Sequence, residues 1–360
     1  MENAFIHKNR FAFDLNTKFA IYAQGEFAQE HSKTALGVLR YAPSQVTCVI
    51  DSYKANLSIQ ALTGINHSAP IVASIKDALA YQPEALVLGI SLSGGKLPKH
   101  WRNDLLQACN YKLDIINGLH DFLSEDSEFI ALANKNNTKL IDLRKPPTNL
   151  SIASGKARSI NAKKILTIGS DCSSGKMTTA IELTNYAKLQ NYDARFLATG
   201  QTGILIAGGQ GIGIDRVIGD FMAGAIESLI LENQAVKDFL FIEGQGSIYH
   251  PGFSGVTLSL MHGSCADGFI LCHNANQQTI EEGKILLPNI NVIIKTYELL
   301  MTHLGSTKVL GIAINTKDLT NNDAQNLINS IEQETNLPTT DPVRYGVKKL
   351  FDSILSKTKE

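Results

Sequence analysis

The sequence predicts an α/β protein: a Rossmann-like N-terminal domain followed by a P-loop-type C-terminal domain with a doubly wound parallel sheet. Three observations carry that expectation. Short β-branched runs alternate with longer helix-period segments along almost the whole chain, the pattern of parallel strands joined by crossover helices. The rhythm halts once, in RKPPTNLSIASGKARSINAK (144–163), and then restarts. Directly after the restart, a strand, a small polar loop and a Gly-Lys pair open a helix. A length of 360 residues suits two domains at roughly 150 residues each. The expected division is 1–145, a linker at 146–163, and 164–360.

In the first part, strands are expected at Lys18–Ala23, Val46–Ile50, Ala85–Ile90, Leu113–Asn117 and Leu140–Leu143. Helices are expected at Glu26–Val38, His100–Asn110 and Asp121–Asn134. Pro146 and Pro147 forbid a continuing helix, which makes the stretch around them the inter-domain connection. In the second part, strands are expected at Ile165–Ile168, Phe239–Ile242, Gly268–Cys272, Val292–Lys295 and Val309–Asn315, with a polar helix at Asn321–Thr335.

Composition excludes several classes. Lysine plus arginine (33) nearly balances aspartate plus glutamate (34), so no electrostatic case exists for a nucleic acid or an anionic membrane as partner. No apolar run reaches a bilayer-spanning length, and the polar N-terminus does not read as a signal peptide. The five cysteines form no C-x-x-C pair, a poor framework for disulfides or zinc. The expectation is a cytoplasmic protein acting on small molecules, with no metal and with a homodimer or higher homo-oligomer as the default assembly.

The most informative segment is KILTIGSDCSSGKMTTAIELTNYA (164–187). A strand, a loop and a helix start aim backbone N–H groups and the positive end of a helix dipole at one point, which suits a phosphate. The candidate cofactor-binding residues are Ser170, Asp171, Cys172, Ser173, Ser174, Gly175, Lys176, Met177 and Thr178. Two departures from G-x-x-x-x-G-K-[ST] matter: five residues separate Gly169 from Gly175, and Met177 replaces the Mg²⁺-binding hydroxyl. Thr178 could replace it only if the turn shifts by one residue. Anion binding survives; metal binding is compromised. Cys172 beside Lys176 could be an acyl nucleophile, though such a cysteine is more often a small loop filler.

Glu243 follows the strand Phe239–Ile242 and precedes Gly244-Gln245-Gly246. At a carboxyl strand end it could be a Mg²⁺ partner, a general base, an ammonium anchor or merely an exposed loop acid. His250 and His273 are weaker candidates for the same acid–base work. The glycine-dense ATGQTGILIAGGQGIGIDRVIGDF (198–221) reads as a flexible loop over a site. Within it Gln201, Asp215 and Arg216 are substrate-binding candidates, with Arg216 matched to a carboxylate; a surface Asp215–Arg216 ion pair is the plain alternative. Arg40 could supply a second cation. His120 and Asp121 sit at a strand-to-helix turn, Ser91–Lys96 forms another glycine turn, and Asp51 stands where a ribose-binding acid could. No G-x-G-x-x-G follows any strand, so NAD is weakly supported.

Taken together, GSDCSSGKMTTA (169–180), the 198–221 string, IEGQGSIYHP (242–251) and ILCHNAN (270–276) resemble the D-glutamate N-acetyltransferase family, formerly a P-loop domain family of unknown function. LRYAPSQVTCVID (39–51), ISLSGGKLP (90–98), INGLHDFL (116–123) and IDLRKPP (141–147) resemble its N-terminal part, so the resemblance runs from about Leu36 to Gly346. A more distant resemblance links the Gly-Lys-Met-Thr-Thr and Glu-Gly-x-Gly strings to dethiobiotin synthetase. The first resemblance implies acetyl transfer from acetyl-CoA to a D-amino acid; the second leaves open a Mg-ATP-dependent kinase or ligase. A loop that holds phosphate without a Mg²⁺ hydroxyl favours acetyl-CoA, with Glu243 as the base or ammonium anchor.

Overall fold

The computed structural model describes residues 10–92, 94–275, 277–280 and 285–357. They form two compact α/β units. The first comprises residues 10–146 together with Gly200–Arg216, and the second Pro147–Thr199 with residues 217–357.

The first unit holds strands β1 (Phe19–Tyr22), β2 (Val46–Ile50), β3 (Ile71–Val72), β4 (Ala85–Leu88), β5 (Asp114–Asn117) and β6 (Leu140–Asp142). All pair in parallel in the order β3-β2-β1-β4-β5-β6, the Rossmann arrangement. Helices α1 (Lys33–Tyr41), α2 (Ile59–Thr63), α3 (Ile75–Ala78), α4 (Arg102–Asn110) and α5 (Ser127–Asn136) connect them. Both faces of a parallel sheet are covered, so its strands are apolar throughout; Tyr22, Leu86, Ile115, Trp101 and Phe129 meet in one core.

The second unit holds β7 (Lys163–Gly169), β8 (Ala194–Leu197), β9 (Phe239–Ile242), β10 (Gly268–Asn274), β11 (Lys308–Asn315) and β12 (Thr339–Thr340). They too are all parallel, ordered β12-β11-β10-β7-β9-β8. The order reverses between β7 and β10, which makes the carboxyl ends of those two strands the expected ligand crevice. Its helices are α6 (Lys176–Leu189), α8 (Gly219–Glu232), α9 (Ser254–Ser264), α10 (Ile290–Met301), α11 (Asn321–Thr335) and α12 (Lys348–Lys357), while α7 (Gln201–Ile206) belongs to the first unit.

Several expectations need correction. The strand expected at Val292–Lys295 is the middle of α10, whose buried residues Ile293, Ile294, Tyr297 and Met301 recur at helical spacing. A four-residue apolar run carries too little periodicity to tell the two apart. The helix expected from Glu26 begins only at Lys33, because Ala28 is left-handed (φ 59°) and the Phe27 N–H donates to Asp51 Oδ2 at 3.1 Å. The supposed flexible loop at 198–220 is packed structure: it contains α7 and a 3-10 turn at Ile214–Arg216, and Ile204, Leu205, Ile212 and Ile214 are buried. The short edge strands β3, β8 and β12 gave too little pattern to read. Residues 151–157 of the supposed linker are clasped to α8: Glu227 Oε2 accepts from the Ser154 N–H (2.8 Å) and hydroxyl (3.0 Å), and Oε1 from the Ala157 N–H (3.4 Å).

Candidate functional site

β7 ends at Gly169, and the chain then folds a tight loop before α6. Ser173 (φ 53°) and Gly175 (φ 95°) are both left-handed, which turns the backbone back on itself and opens the helix at Lys176. The loop is fixed from three sides. The Ser170 N–H donates to the Cys272 carbonyl of β10 at 3.0 Å, and the Ser247 hydroxyl to the Ser170 carbonyl at 2.8 Å. The buried phenol of Tyr297 donates to the Gly169 carbonyl at 2.7 Å and accepts from the Ile248 N–H at 3.1 Å.

Lys176 is 7% exposed, and its ammonium donates to the Asp171 carbonyl (2.7 Å) and the Ser174 hydroxyl (3.3 Å). Burial pulls its pKa down, while Cys172, Cys272, Asp171 and Glu243 act to keep the proton on; burial wins. Glu243 is buried after β9, clasped to Thr199: its Oε2 accepts from the Thr199 N–H at 2.9 Å, and the Thr199 hydroxyl donates to its carbonyl at 2.7 Å. Gly244 must be glycine, since a methyl there would lie 1.7 Å from the Thr167 carbonyl oxygen.

The structure thus brings the expected residues 170–178, Glu243, His250 and His273 to one edge of the second sheet. His273 Nδ1 lies 2.8 Å from the Ser170 hydroxyl, and burial lowers its pKa, so the ring is neutral at pH 7. His250 is buried, stacked on Phe253 at 4.5 Å, and its Nδ1 accepts from the Gly252 N–H at 3.1 Å. Nδ1 accepts that bond with its lone pair, which leaves Nε2 as the N–H donor of the His250 ring. Sequence reasoning missed Tyr297, Thr199 and Gln277, whose amide donates to Asp171 Oδ2 at 2.6 Å. The helical spacing of α10 was the one available signal for Tyr297.

A P-loop fold raises the question of Mg²⁺, and these residues do not fit it. Met177 has no oxygen to offer, Thr178 stands one position further along α6, and the buried Thr179 hydroxyl donates to the Gly175 carbonyl at 2.9 Å and accepts from the Cys272 thiol at 3.5 Å. Asp171, Cys172 and His250 bring ligand atoms within 4.8 Å of one another. Their thiol and imidazole are too soft for Mg²⁺, and binding a cation through His250 Nε2 would force the proton to Nδ1 and break the Gly252 bond.

The substrate-binding candidates Gln201, Asp215 and Arg216 belong to the first unit, at the carboxyl edge of its sheet. The Gln201 amide lies 3.4 Å from the Ser91 hydroxyl. Arg144, buried, pairs with Asp215 and donates from Nε to the Gly118 carbonyl at 2.7 Å. Exposed Arg216 stacks on Phe122 at 4.7 Å instead of pairing with Asp215. Arg40 lies in the last turn of α1, which runs back from the carboxyl edge, so it stands at the opposite edge of the sheet. That edge also carries an open cleft of about 580 Å³ lined by Pro43, His67, Pro70 and Tyr81, away from the turns that gather polar groups. Asp51 is no ribose acid: both its oxygens accept backbone N–H groups, from Phe27 and Tyr53.

Fold and loop together define a P-loop α/β protein with a Rossmann-like companion domain. The P-loop domain of unknown function DUF1611 matches residues 151–351, and its Rossmann-like partner DUF1611_N matches residues 52–146. A D-glutamate N-acetyltransferase from Pseudoalteromonas sp. is 38% identical over 296 residues, covering 81% of this chain and 86% of its own. One from Tritonibacter scottomollicae is 33% identical over 331 residues, covering 90% and 94%. The crystal structure of a DUF1611 family protein from Anabaena variabilis superposes with a TM-score of 0.91 at 37% identity, covering 95% of this chain and all (100%) of that one. The chain belongs to this D-glutamate N-acetyltransferase family. Among the described residues no helix is long and apolar enough to cross a membrane.

Proposed function

We propose that the protein moves the acetyl group of acetyl-CoA onto the amine of D-glutamate. The observation that carries the reading is the loop at 170–178, which offers a lysine and a helix N-terminus to phosphate but no hydroxyl at Met177 for Mg²⁺. The names of the two relatives support the substrate and the reaction. Coenzyme A presents a pyrophosphate and a 3′-phosphate, and acetyl transfer breaks no bond to phosphorus, so such a loop suffices.

In this reading Ser170 to Thr178 hold the phosphorylated end of the carrier, and Arg216 and its chain neighbour Asp215, with Gln201 at the same edge of the first sheet, receive the amino acid. The pantetheine arm is many bonds long, which sets the thioester away from the phosphates. Glu243 therefore serves the phosphate end, where it opposes the cost of burying the Lys176 charge, and His250 donates from Nε2. In the reaction the amine nitrogen attacks the thioester carbon, a C–N bond forms and the C–S bond breaks. Of the two protons lost by the ammonium, one ends on the coenzyme A sulfur and one goes to solvent.

The test combines purified protein with acetyl-CoA and D-glutamate, following N-acetyl-D-glutamate by mass spectrometry and free thiol by absorbance. Calorimetry with acetyl-CoA, Mg-ATP and NAD runs beside it. Product formation without Mg²⁺ is expected, and Lys176→Ala should weaken acetyl-CoA binding about tenfold or more, as loss of a charged hydrogen bond implies. Mg²⁺-dependent ATP turnover with no acetylated product would replace this reading with a kinase or ligase. Tight ligand binding without any product would replace it with a sensor.

A further inference from the structure

We propose that His120 is the general base of the acetyl transfer, within an acceptor subsite that it forms on the first unit with Asp215, Arg216 and Arg144. The proposal rests on the acetyl-transfer reading and adds a residue and a site to it.

His120 follows β5 at the carboxyl edge of the sheet, with its N–H donating to the Gly95 carbonyl at 2.7 Å. Left-handed Gly95 packs its backbone against the ring, where a methyl would lie 2.2 Å from Cδ2, so the imidazole is held from one side by main chain. Its Nε2 is 3.6 Å from Asp215 Oδ2, too long for a hydrogen bond. The other oxygen, Asp215 Oδ1, is buried and has no hydrogen-bond partner among the described residues. The Asp215 side chain as a whole is 30% exposed, which leaves its carboxylate within reach of a substrate ammonium. Arg216 is exposed, its guanidinium carbon 4.7 Å from the centre of the Phe122 ring, which makes it a solvent-facing cation suited to a carboxylate. A carboxylate fork, an ammonium anchor and an imidazole side by side match an acidic amino acid.

Burial, Arg144 and Arg216 push the His120 pKa down to about 4, opposed by Asp121. The imidazole is therefore unprotonated at neutral pH, able to accept a proton from the substrate ammonium. A substrate carboxylate on Arg216 cancels part of that cation's repulsion, so His120 becomes a stronger base once the correct acceptor has bound. The proton taken by His120 then passes to solvent. The second proton of the nitrogen ends on the coenzyme A sulfur as the C–S bond breaks.

The experiment compares wild type, His120→Asn, His120→Gln and Arg216→Ala by steady-state kinetics across pH, with acetyl-CoA affinity and thermal unfolding as controls. Both His120 variants should lose about 100-fold or more in kcat. Their acetyl-CoA affinity should be unchanged, and the acid limb of the kcat profile should vanish. Arg216→Ala should raise KM for D-glutamate far more than for acetyl-CoA. In wild type, the acid limb of kcat should lie above about pH 4, because the occupied site is less cationic than the free one. His120 variants with wild-type kcat and pH profile overturn the proposal while leaving the acetyl-transfer reading intact. If the variants fail to fold, a wild-type kcat that is flat down to about pH 4 overturns it just as well. A wild type that makes no N-acetyl-D-glutamate overturns the reading beneath it.

Discussion

Tyr297 shows how much of the phosphate loop depends on one distant hydroxyl. The phenol is wholly buried and bridges the end of β7 to the segment after Glu243, through Gly169 and Ile248. Burial holds its pKa well above the ordinary tyrosine value, so it remains a donor at any physiological pH. Tyr297→Phe keeps the ring and strands the buried Gly169 carbonyl and the part-buried Ile248 N–H. It should cost about 1–3 kcal/mol in denaturant unfolding and weaken acetyl-CoA binding measured by calorimetry. At Gly244 the effect is steric: Gly244→Ala forces the strand end off Thr167, and coenzyme A affinity should fall even where the fold survives, checked by calorimetry beside circular dichroism. Lys176 and Gly175 could be read directly because loop and helix start are contiguous in the chain. Thr199, Gln277 and Tyr297 reach the same site from segments that no local pattern connects to it.

At the scale of elements, α8 illustrates a clasp that sequence alone hides. Glu227 on its buried side accepts N–H groups from Ser154 and Ala157, binding the proline-rich stretch to the second unit. Burial raises the pKa of this carboxyl, but the Ser154 backbone and hydroxyl and the Ala157 and Lys156 N–H groups outweigh it, and the net shift is downward. A carboxyl with a lowered folded pKa adds stability that is fully present above the unfolded value, about 4.3, and is lost as pH falls through the folded value. Glu227→Gln should thus lower the unfolding midpoint at pH 7 and leave a smaller difference from wild type in strong acid, read by thermal melts across pH. α10 teaches the complementary lesson. INVIIK is apolar enough for a strand, and only the longer spacing through Tyr297 and Met301 marks it as a helix.

For the whole molecule, each unit has its own sheet and its own apolar core. Trp101, Tyr22 and Phe129 anchor the first, and Phe239, Phe241 and Phe351 the second. The division is not linear in sequence, because Gly200–Arg216 leaves the second half of the chain to become part of the first unit. Amide exchange should separate the ligands accordingly. Coenzyme A should protect residues 169–178 and 243–252, and D-glutamate residues 118–122 and 213–216. Protection of the phosphate loop by D-glutamate alone would reverse the assignment of the two sites.

What the amino-acid order determined by itself was local: alternating apolar runs and helix periods set two parallel α/β sheets, and a glycine and a lysine set a strand–loop–helix turn with Met177 where a P-loop carries its hydroxyl. Those features depend on residues within a few positions of one another, where backbone geometry and burial act directly. Tertiary structure alone decided which side chains meet. It closed Tyr297 and Glu243 around the loop and turned His250 into a donor through Gly252. It also carried Asp215 across the chain to His120 and Arg144, because contacts between distant segments follow from packing, and packing has no local signature.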